Sequence, residues 1–122
     1  MNERINEFLK KLISFFPSIC EEYSCSKMQY GEILSTVVIE DVFMPRLIET
    51  IKQNTNEELL QEIFEYFEVI ANTDDICLKN IFCVTILESL GNEEKILKIA
   101  REYMGDTTFQ LQIEADRTLG RI

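Results

Sequence analysis

Carboxylate side chains are the groups in this sequence whose type and spacing are suited to catalysis, metal binding or partner binding. Seven of them lie between positions 57 and 75, and four of the seven recur at three- and four-residue spacing. Side chains at that spacing lie on one face of a helix. They could ligate a metal, form a general acid/base pair, remain a solvated face or bind a basic partner. The seven are Glu57, Glu58, Glu62, Glu65, Glu68, Asp74 and Asp75.

The sequence favours the last two of these four roles. Di-iron helical bundles pair glutamates with Glu-x-x-His motifs, and this chain has no histidine. An acid/base pair needs carboxylates in a cleft with perturbed pKa values, which this pattern does not indicate. A solvated helix face is the commonest origin of such a pattern. However, no Lys or Arg lies between Lys52 and Lys79, so the negative charges repel one another unless a basic partner relieves them.

Composition excludes several classes of function. The chain has 122 residues, with 12 Lys and Arg against 22 Asp and Glu, which gives a formal net charge of −10. Without histidine there is no Ser-His or Cys-His pair and no His-ligated metal. The acidic charge argues against contact with phosphates, and phosphate loops and dinucleotide fingerprints are absent. We therefore expect no enzyme, no cofactor, and no direct binding of nucleic acid or small molecules.

The N-terminus and the cysteines indicate a cytoplasmic protein. Lys10 and Lys11 interrupt the first apolar run, which is unlike a secretory signal. No stretch approaches the roughly 18 apolar residues of a membrane span. The cysteine spacing fits neither a CxxC redox motif nor a zinc site. We expect reduced thiols, the last two of them buried, at Cys20, Cys25, Cys77 and Cys83.

Apolar spacing and capping residues predict helices throughout the first half. Asn2 caps a helix that ends near Phe16, and a short second helix spans 17–23. A third segment begins near Lys27. Its β-branched run at 35–39 would alone pass for a strand, but its length favours a helix with a break or kink at Pro45 that ends near Gln53.

The second half contains four further predicted helices. A capping box of Thr55 and Glu58 begins a helix that ends near Ala71. Asn72 or Thr73 caps a helix over 74–90, whose apolar residues surround it almost completely, as in the buried centre of a domain. Asn92 caps a helix over 93–104. The last helix begins near Asp106, although residues 108–113 alternate like a strand.

These elements predict one all-α domain over residues 1–122. Its six or seven helices are joined by short loops, which force consecutive helices into antiparallel hairpins. The hairpins could stack as an armadillo- or HEAT-like array or form a compact bundle. No repeat of fixed period chooses between the two arrangements.

Two further kinds of residue are candidates for interaction. Glu88 lies on the apolar helix over 74–90, so we expect either an ion pair with Arg101 or Arg117 or a contact with a partner. Tyrosines combine rigid area with a hydroxyl group and are candidate interface anchors. They are Tyr23, Tyr30, Tyr66 and Tyr103.

Part of the second half resembles a known family. The stretches 63–68 (IFEYFE) and 81–90 (IFCVTILESL), followed by 103–106 (YMGD) with Thr108, resemble small helical immunity proteins of bacterial polymorphic-toxin systems, including contact-dependent growth inhibition. The resemblance covers about residues 60–112 and transfers no inhibitory residue. It implies a cytoplasmic protein that neutralises one cognate toxin. Many such toxins are nucleases, and several are ribonucleases, including the EndoU type.

The charge of the chain is consistent with this resemblance. A nuclease presents a basic cleft to phosphates, and an acidic protein can cover that cleft with electrostatically steered association. We therefore predict one-to-one binding of a basic toxin domain. The alternative is a helical adaptor that binds a partner protein through an apolar groove. The predicted partner-binding residues are Glu58, Glu62, Glu65, Glu68, Asp74, Asp75 and Tyr66.

Overall fold

The fold is all-α, as the sequence predicts. A computed structural model describes residues 3–16, 39–54 and 56–120, and these ranges contain six helices and no strand. A π-helical turn, Ile39–Phe43, precedes α2, and α4 spans 76–90 with a π-helical segment, Phe82–Leu87, in its middle. The helices are α1 (Glu3–Ser14), α2 (Met44–Gln53), α3 (Glu57–Ala71), α4 (76–90), α5 (Glu94–Arg101) and α6 (Asp106–Thr118).

The predicted first helix is confirmed, and its apolar stripe faces the core. Phe8, Leu9, Leu12 and Ile13 of α1 are buried. The predicted helix over 17–23 and most of the third segment lie outside the described residues. The same holds for Cys20, Cys25, Tyr23 and Tyr30.

The predicted break at Pro45 coincides with a change of helix type. The backbone is π-helical through Phe43 and becomes α-helical at Met44, so Pro45 lies in the first turn of α2. Because proline has no N–H, it cannot donate to a carbonyl of the preceding π-helical turn, and the change of helix type falls at this junction. Asn54 ends α2 in the left-handed conformation (φ 47°), which asparagine adopts more easily than most residues.

Three of the predicted helix caps are wrong by one to three positions. Asn56 caps α3, and its Oδ1 accepts a hydrogen bond from the Leu59 amide at 3.2 Å. Asp75 caps α4 by accepting from the Leu78 amide at 3.0 Å. Glu93 holds the cap position of α5. The first two regions contain adjacent residues that favour caps, and packing of the helix decides which one begins it, whereas the Glu93 side chain makes no capping hydrogen bond.

The helix over 74–90 is central to the fold but is not buried all round. It begins at Ile76, so Asp74 and Asp75 precede its first turn. Phe82, Ile86, Leu87 and Leu90 face the core. On the other side Ile76 is 75% exposed and Val84 is 53% exposed, and Cys77 is exposed rather than buried.

The helices pack compactly around one hydrophobic cluster. α6 packs against α3 and against the π-helical segment of α4, while α2 packs against α5. Phe67 of α3 is fully buried, with ring centroids 5.1 Å from Phe64, 5.3 Å from Phe82 and 6.5 Å from Phe43. The described helices therefore pack compactly.

Candidate functional site

An acidic stripe runs along the outer face of α3. We use this name for Glu58, Glu62 and Glu65, whose side chains are all exposed. Val69 continues the same face at helical spacing and is 65% exposed. Asp74 is also exposed, in the turn after α3. The carboxylates of the stripe therefore face solvent, where a partner could reach them.

Glu68 does not lie on this stripe, and the sequence-based placement of it there is wrong. Its carboxylate turns towards α6 and accepts hydrogen bonds from the amides of Thr107 (3.0 Å) and Thr108 (2.8 Å) and from the Thr108 hydroxyl (2.8 Å). The first amides of a helix have no partner within it. Since Gly105 at the cap position of α6 has no side chain, Glu68 provides the cap from α3.

The environment of Glu68 favours its charged form. Burial raises the pKa of the carboxyl, but hydrogen bonds from the backbone and hydroxyls of Thr108 and Thr107 outweigh burial. The result is a pKa lowered from 4.5 to about 2. The positive end of the α6 dipole acts in the same direction. Glu68 is thus a structural anion between two helices.

Gly105 is required by this contact, so we expect Gly105→Ala to destabilise the fold. A Cβ there would lie 2.5 Å from Cδ and 2.6 Å from Oε1 of Glu68. The clash should lower the free energy of unfolding by about 1–3 kcal/mol, measured by urea denaturation. In a Glu68→Ala background the clash partner is gone, so adding Gly105→Ala should cost less, and only the ordinary preference for glycine over alanine at an N-cap remains. Equal costs in both backgrounds would contradict this explanation.

Asp75 also has a local role. Its carboxylate caps α4 and its amide donates to Thr73 Oγ1 at 3.2 Å. Of the seven predicted partner-binding residues, the structure therefore exposes Glu58, Glu62, Glu65 and Asp74. It uses the Glu68 and Asp75 carboxylates as helix caps.

Tyr66, the seventh predicted residue, lines a recess between α1 and α3. We call it the aromatic recess; it is a shallow depression of about 470 Å³ that is open to solvent, and it is lined by Lys11, Phe15, Glu62, Glu65, Tyr66 and Val69. The Tyr66 ring lies against Phe8 and Phe15, with centroids 6.1 and 6.0 Å away. Burial and the negative charge of Glu7 raise the pKa of Tyr66 to about 12, so its hydroxyl is protonated at neutral pH.

A second concavity lies between α2 and α5. The α2–α5 groove encloses about 210 Å³, and its apolar lining consists of Met44, Pro45, Ile48 and Ile96. Glu40 and Glu93 are among its polar residues. Lys52 Nζ, from α2, lies 3.9 Å from Glu93 Oε2. This groove is a candidate for the apolar site of an adaptor.

Buried polar groups join α4, α5 and α6. Arg101 lies 3.9 Å from Asp116, which is only 2% exposed. Gln112 donates from Nε2 to the Leu87 carbonyl (2.9 Å) and to Asp116 Oδ1 (3.1 Å). Asp116 is thus a partner of Arg101 that the sequence did not indicate. Because buried polar groups need partners, we assign this cluster a structural role.

The described residues offer little else for chemistry. Across residues 3–16, 39–54 and 56–120, no three Cys, Asp or Glu side chains come together as metal ligands. None of the helices in these ranges is long and apolar enough to cross a membrane. Burial raises the pKa of the half-buried Cys83, which favours its protonated thiol.

The sequence pattern did not indicate three residues of this recess, which are Lys11, Phe15 and Val69. Phe15 follows Lys11 by four residues, one position after α1 ends, and Val69 follows Glu65 by the same spacing on α3. That spacing could have indicated that the two members of each pair lie close together. Their contact with Tyr66 was not predictable, because it depends on how α1 packs against α3.

One family matches the chain. The family described as domain of unknown function (DUF7674) matches residues 9–120. No curated protein and no solved structure matches. The match covers the acidic stripe and the residues that line the aromatic recess and the α2–α5 groove.

Proposed function

This chain belongs to the DUF7674 family, and we propose that it is a bacterial immunity protein that binds and neutralises a toxin domain. The family description assigns no activity, so the proposal depends on the surface. The toxin would be a basic nuclease, and the specific case would be a ribonuclease such as one of the EndoU type. The protein would act in the cytoplasm by binding one-to-one, without a cofactor and without catalysis of its own.

The exposed acidic stripe is the observation that carries this proposal. Three carboxylates of α3 face solvent, and the chain has no Lys or Arg from 53 to 78 to pair with them along the helix. Repulsion among like charges costs stability, and a basic partner removes that cost. The resemblance of residues 60–112 to polymorphic-toxin immunity proteins points to the same class.

Electrostatic attraction would raise the association rate and the specificity of the complex. A net charge of −10 attracts a basic domain over distance, and the stripe orients it on contact. Such steering raises the association rate and weakens with salt. Val69, which is apolar and exposed on the same face of α3 as the stripe, could exclude water from the contact.

Charge reversal on the stripe is the direct test. We expect Glu58→Lys, Glu62→Lys and Glu65→Lys together to weaken toxin binding by about 100-fold, measured by calorimetry. The matched control reverses the exposed Glu94, Glu102 and Glu114. Each triple variant has a net charge of −4, since every reversal adds two positive units to −10. Glu58 and Glu94 both lie in first helical turns, so the helix-dipole cost is matched as well.

The control should weaken binding by no more than about fivefold. Equal losses in both triple variants would show that only net charge matters and would contradict a binding site on α3. Glu68 is left unchanged in both variants, because reversing it would remove the cap of α6.

A pull-down from the native source, or with the product of the neighbouring upstream gene, would identify the partner. A captured protein supports the proposal only if it is basic, toxic when expressed alone and harmless with this chain. Its association rate should fall steeply between 50 and 500 mM salt, as steering requires. A neutral partner, or an association rate that does not change with salt concentration, would contradict the proposal.

The α2–α5 groove favours a second candidate, a helical adaptor. Its apolar lining could bind a partner helix or peptide. This candidate predicts that Ile48→Glu abolishes binding, whereas reversal of the acidic stripe has little effect. The two sets of variants therefore separate the adaptor from the immunity protein.

A further inference from the structure

We propose that the aromatic recess receives an arginine side chain of the partner, which displaces Lys11. This inference rests on the proposed function and names the group that the acidic face recognises. The recess combines aromatic rings, from Phe15 and Tyr66, with the carboxylates of Glu62 and Glu65 at its edge.

Lys11 shows that the recess holds a cation. Its Nζ lies 5.2 Å from the Phe15 ring centroid and 5.9 Å from the Tyr66 ring centroid, within the range of cation–π contacts. The Lys11 side chain is nevertheless exposed, so it is weakly held. A cation from this chain thus occupies the position that a stronger external cation would take.

The edge of the recess matches a guanidinium group better than an ammonium group. Glu62 and Glu65 precede Tyr66 on α3 by four residues and one residue, and both line the recess beside it. Arginine is planar, stacks on aromatic rings and can bind carboxylates with two parallel hydrogen bonds. The protonated Tyr66 hydroxyl adds an acceptor oxygen.

The apolar part of the recess suits the arginine stem. Val69 is 65% exposed and lines the same recess as Phe15. Long basic side chains pack their methylene groups on apolar surface while the charged end reaches polar groups. Charge complementarity therefore selects one occupant, an arginine from a basic protein.

The first experiment uses a small probe and needs no toxin. N-acetyl-arginine-N-methylamide is titrated into the full-length protein at constant ionic strength, and NMR follows the Lys11 ε-methylene and Tyr66 ring signals. N-acetyl-citrulline-N-methylamide, of the same shape without the charge, is the control. We expect both signals to shift with the arginine probe, with a Kd of about 1–10 mM, and the citrulline probe to leave them unchanged. Equal shifts with both probes, or none, would overturn the inference.

The second experiment compares two lysines with the same charge. Lys11→Ala removes the internal competitor, whereas Lys10→Ala removes an exposed neighbour that does not line the recess. Both lower the net charge by one unit. We expect Lys11→Ala to bind the arginine probe about three- to tenfold more tightly than Lys10→Ala. Equal affinities of the two variants would overturn the displacement of Lys11.

Failure of this inference is distinguishable from failure of the proposed function. If a basic toxin binds the acidic stripe but Lys11→Ala and Lys10→Ala bind it equally, the recess is not the arginine site and the immunity function stands. If the arginine probe binds the recess but no basic toxin is found, the recess stands as a cation site and the immunity proposal fails.

Discussion

Glu68→Ala should lower the free energy of unfolding by about 2–4 kcal/mol. The substitution removes the acceptor of the Thr107 and Thr108 amides and of the Thr108 hydroxyl. Thr108 is fully buried, so its groups would lose their partner without gaining water. Urea denaturation followed by circular dichroism at neutral pH measures the change.

The contribution of Glu68 should depend on pH. Its folded pKa of about 2 lies below the ordinary 4.5, so its stabilising effect is complete above pH 4.5 and is lost as the pH falls towards 2. The difference in unfolding free energy between wild type and Glu68→Gln should therefore shrink by about half at pH 3. Because both proteins carry the same other carboxyls, the comparison isolates Glu68.

A neighbour on the same helix provides the control for both measurements. Glu62 is exposed on α3, and Glu62→Ala should change the unfolding free energy by no more than about 0.5 kcal/mol. If Glu68→Ala and Glu62→Ala had equal effects, the assignment of Glu68 as the cap of α6 would be wrong. If the difference in unfolding free energy between wild type and Glu68→Gln did not change with pH, the lowered pKa of Glu68 would be contradicted.

Phe67→Ala should have the largest effect, a loss of about 3–5 kcal/mol. Its ring is fully buried and touches Phe64 of the same helix, Phe82 of α4 and Phe43 before α2. Truncation leaves a cavity where three elements of the fold meet, and rigid helices cannot close over it without losing other contacts. Urea denaturation, with the slope m compared between variants, measures this loss.

Phe109→Ala is the matched control for Phe67→Ala. Phe109 lies on α6 with 36% of its surface exposed, and Arg101 is 5.8 Å from its ring centroid. Its truncation should cost about 1 kcal/mol or less, since the site remains open to water. Similar losses for both phenylalanines would mean that Phe67 does not lie at the centre of the core.

The expected loss of stability in Glu68 variants also determines which residues a binding experiment should change. A charge-reversal set that includes Glu68 would weaken binding by disturbing α6, whether or not α6 or the stripe contacts the toxin. Restricting the set to Glu58, Glu62 and Glu65 removes that ambiguity, because their side chains face solvent. Circular dichroism of each variant then checks that the helices remain.

The sequence by itself determined the helical class, the acidic charge and the approximate position of each described helix. These properties are local: the hydrogen bonds of a helix join residues four apart, and its apolar stripe is visible in the spacing of residues such as Phe8 and Leu12. For the same reason the strand-like alternation at 108–113 was misleading on its own. Those residues are helical, and Thr108 and Gln112 are buried at helical spacing.

Only the tertiary structure decided which polar and aromatic groups meet. The spacing of Glu68 matched that of the exposed glutamates, yet it caps a helix that begins 38 positions later, through a bond to Thr108, 40 positions away. Lys11 and Tyr66 likewise come together only because α1 packs against α3. The sequence shows which of these groups are present, but their burial and hydrogen bonding depend on neighbours far along the chain. Their roles therefore follow from how the helices pack.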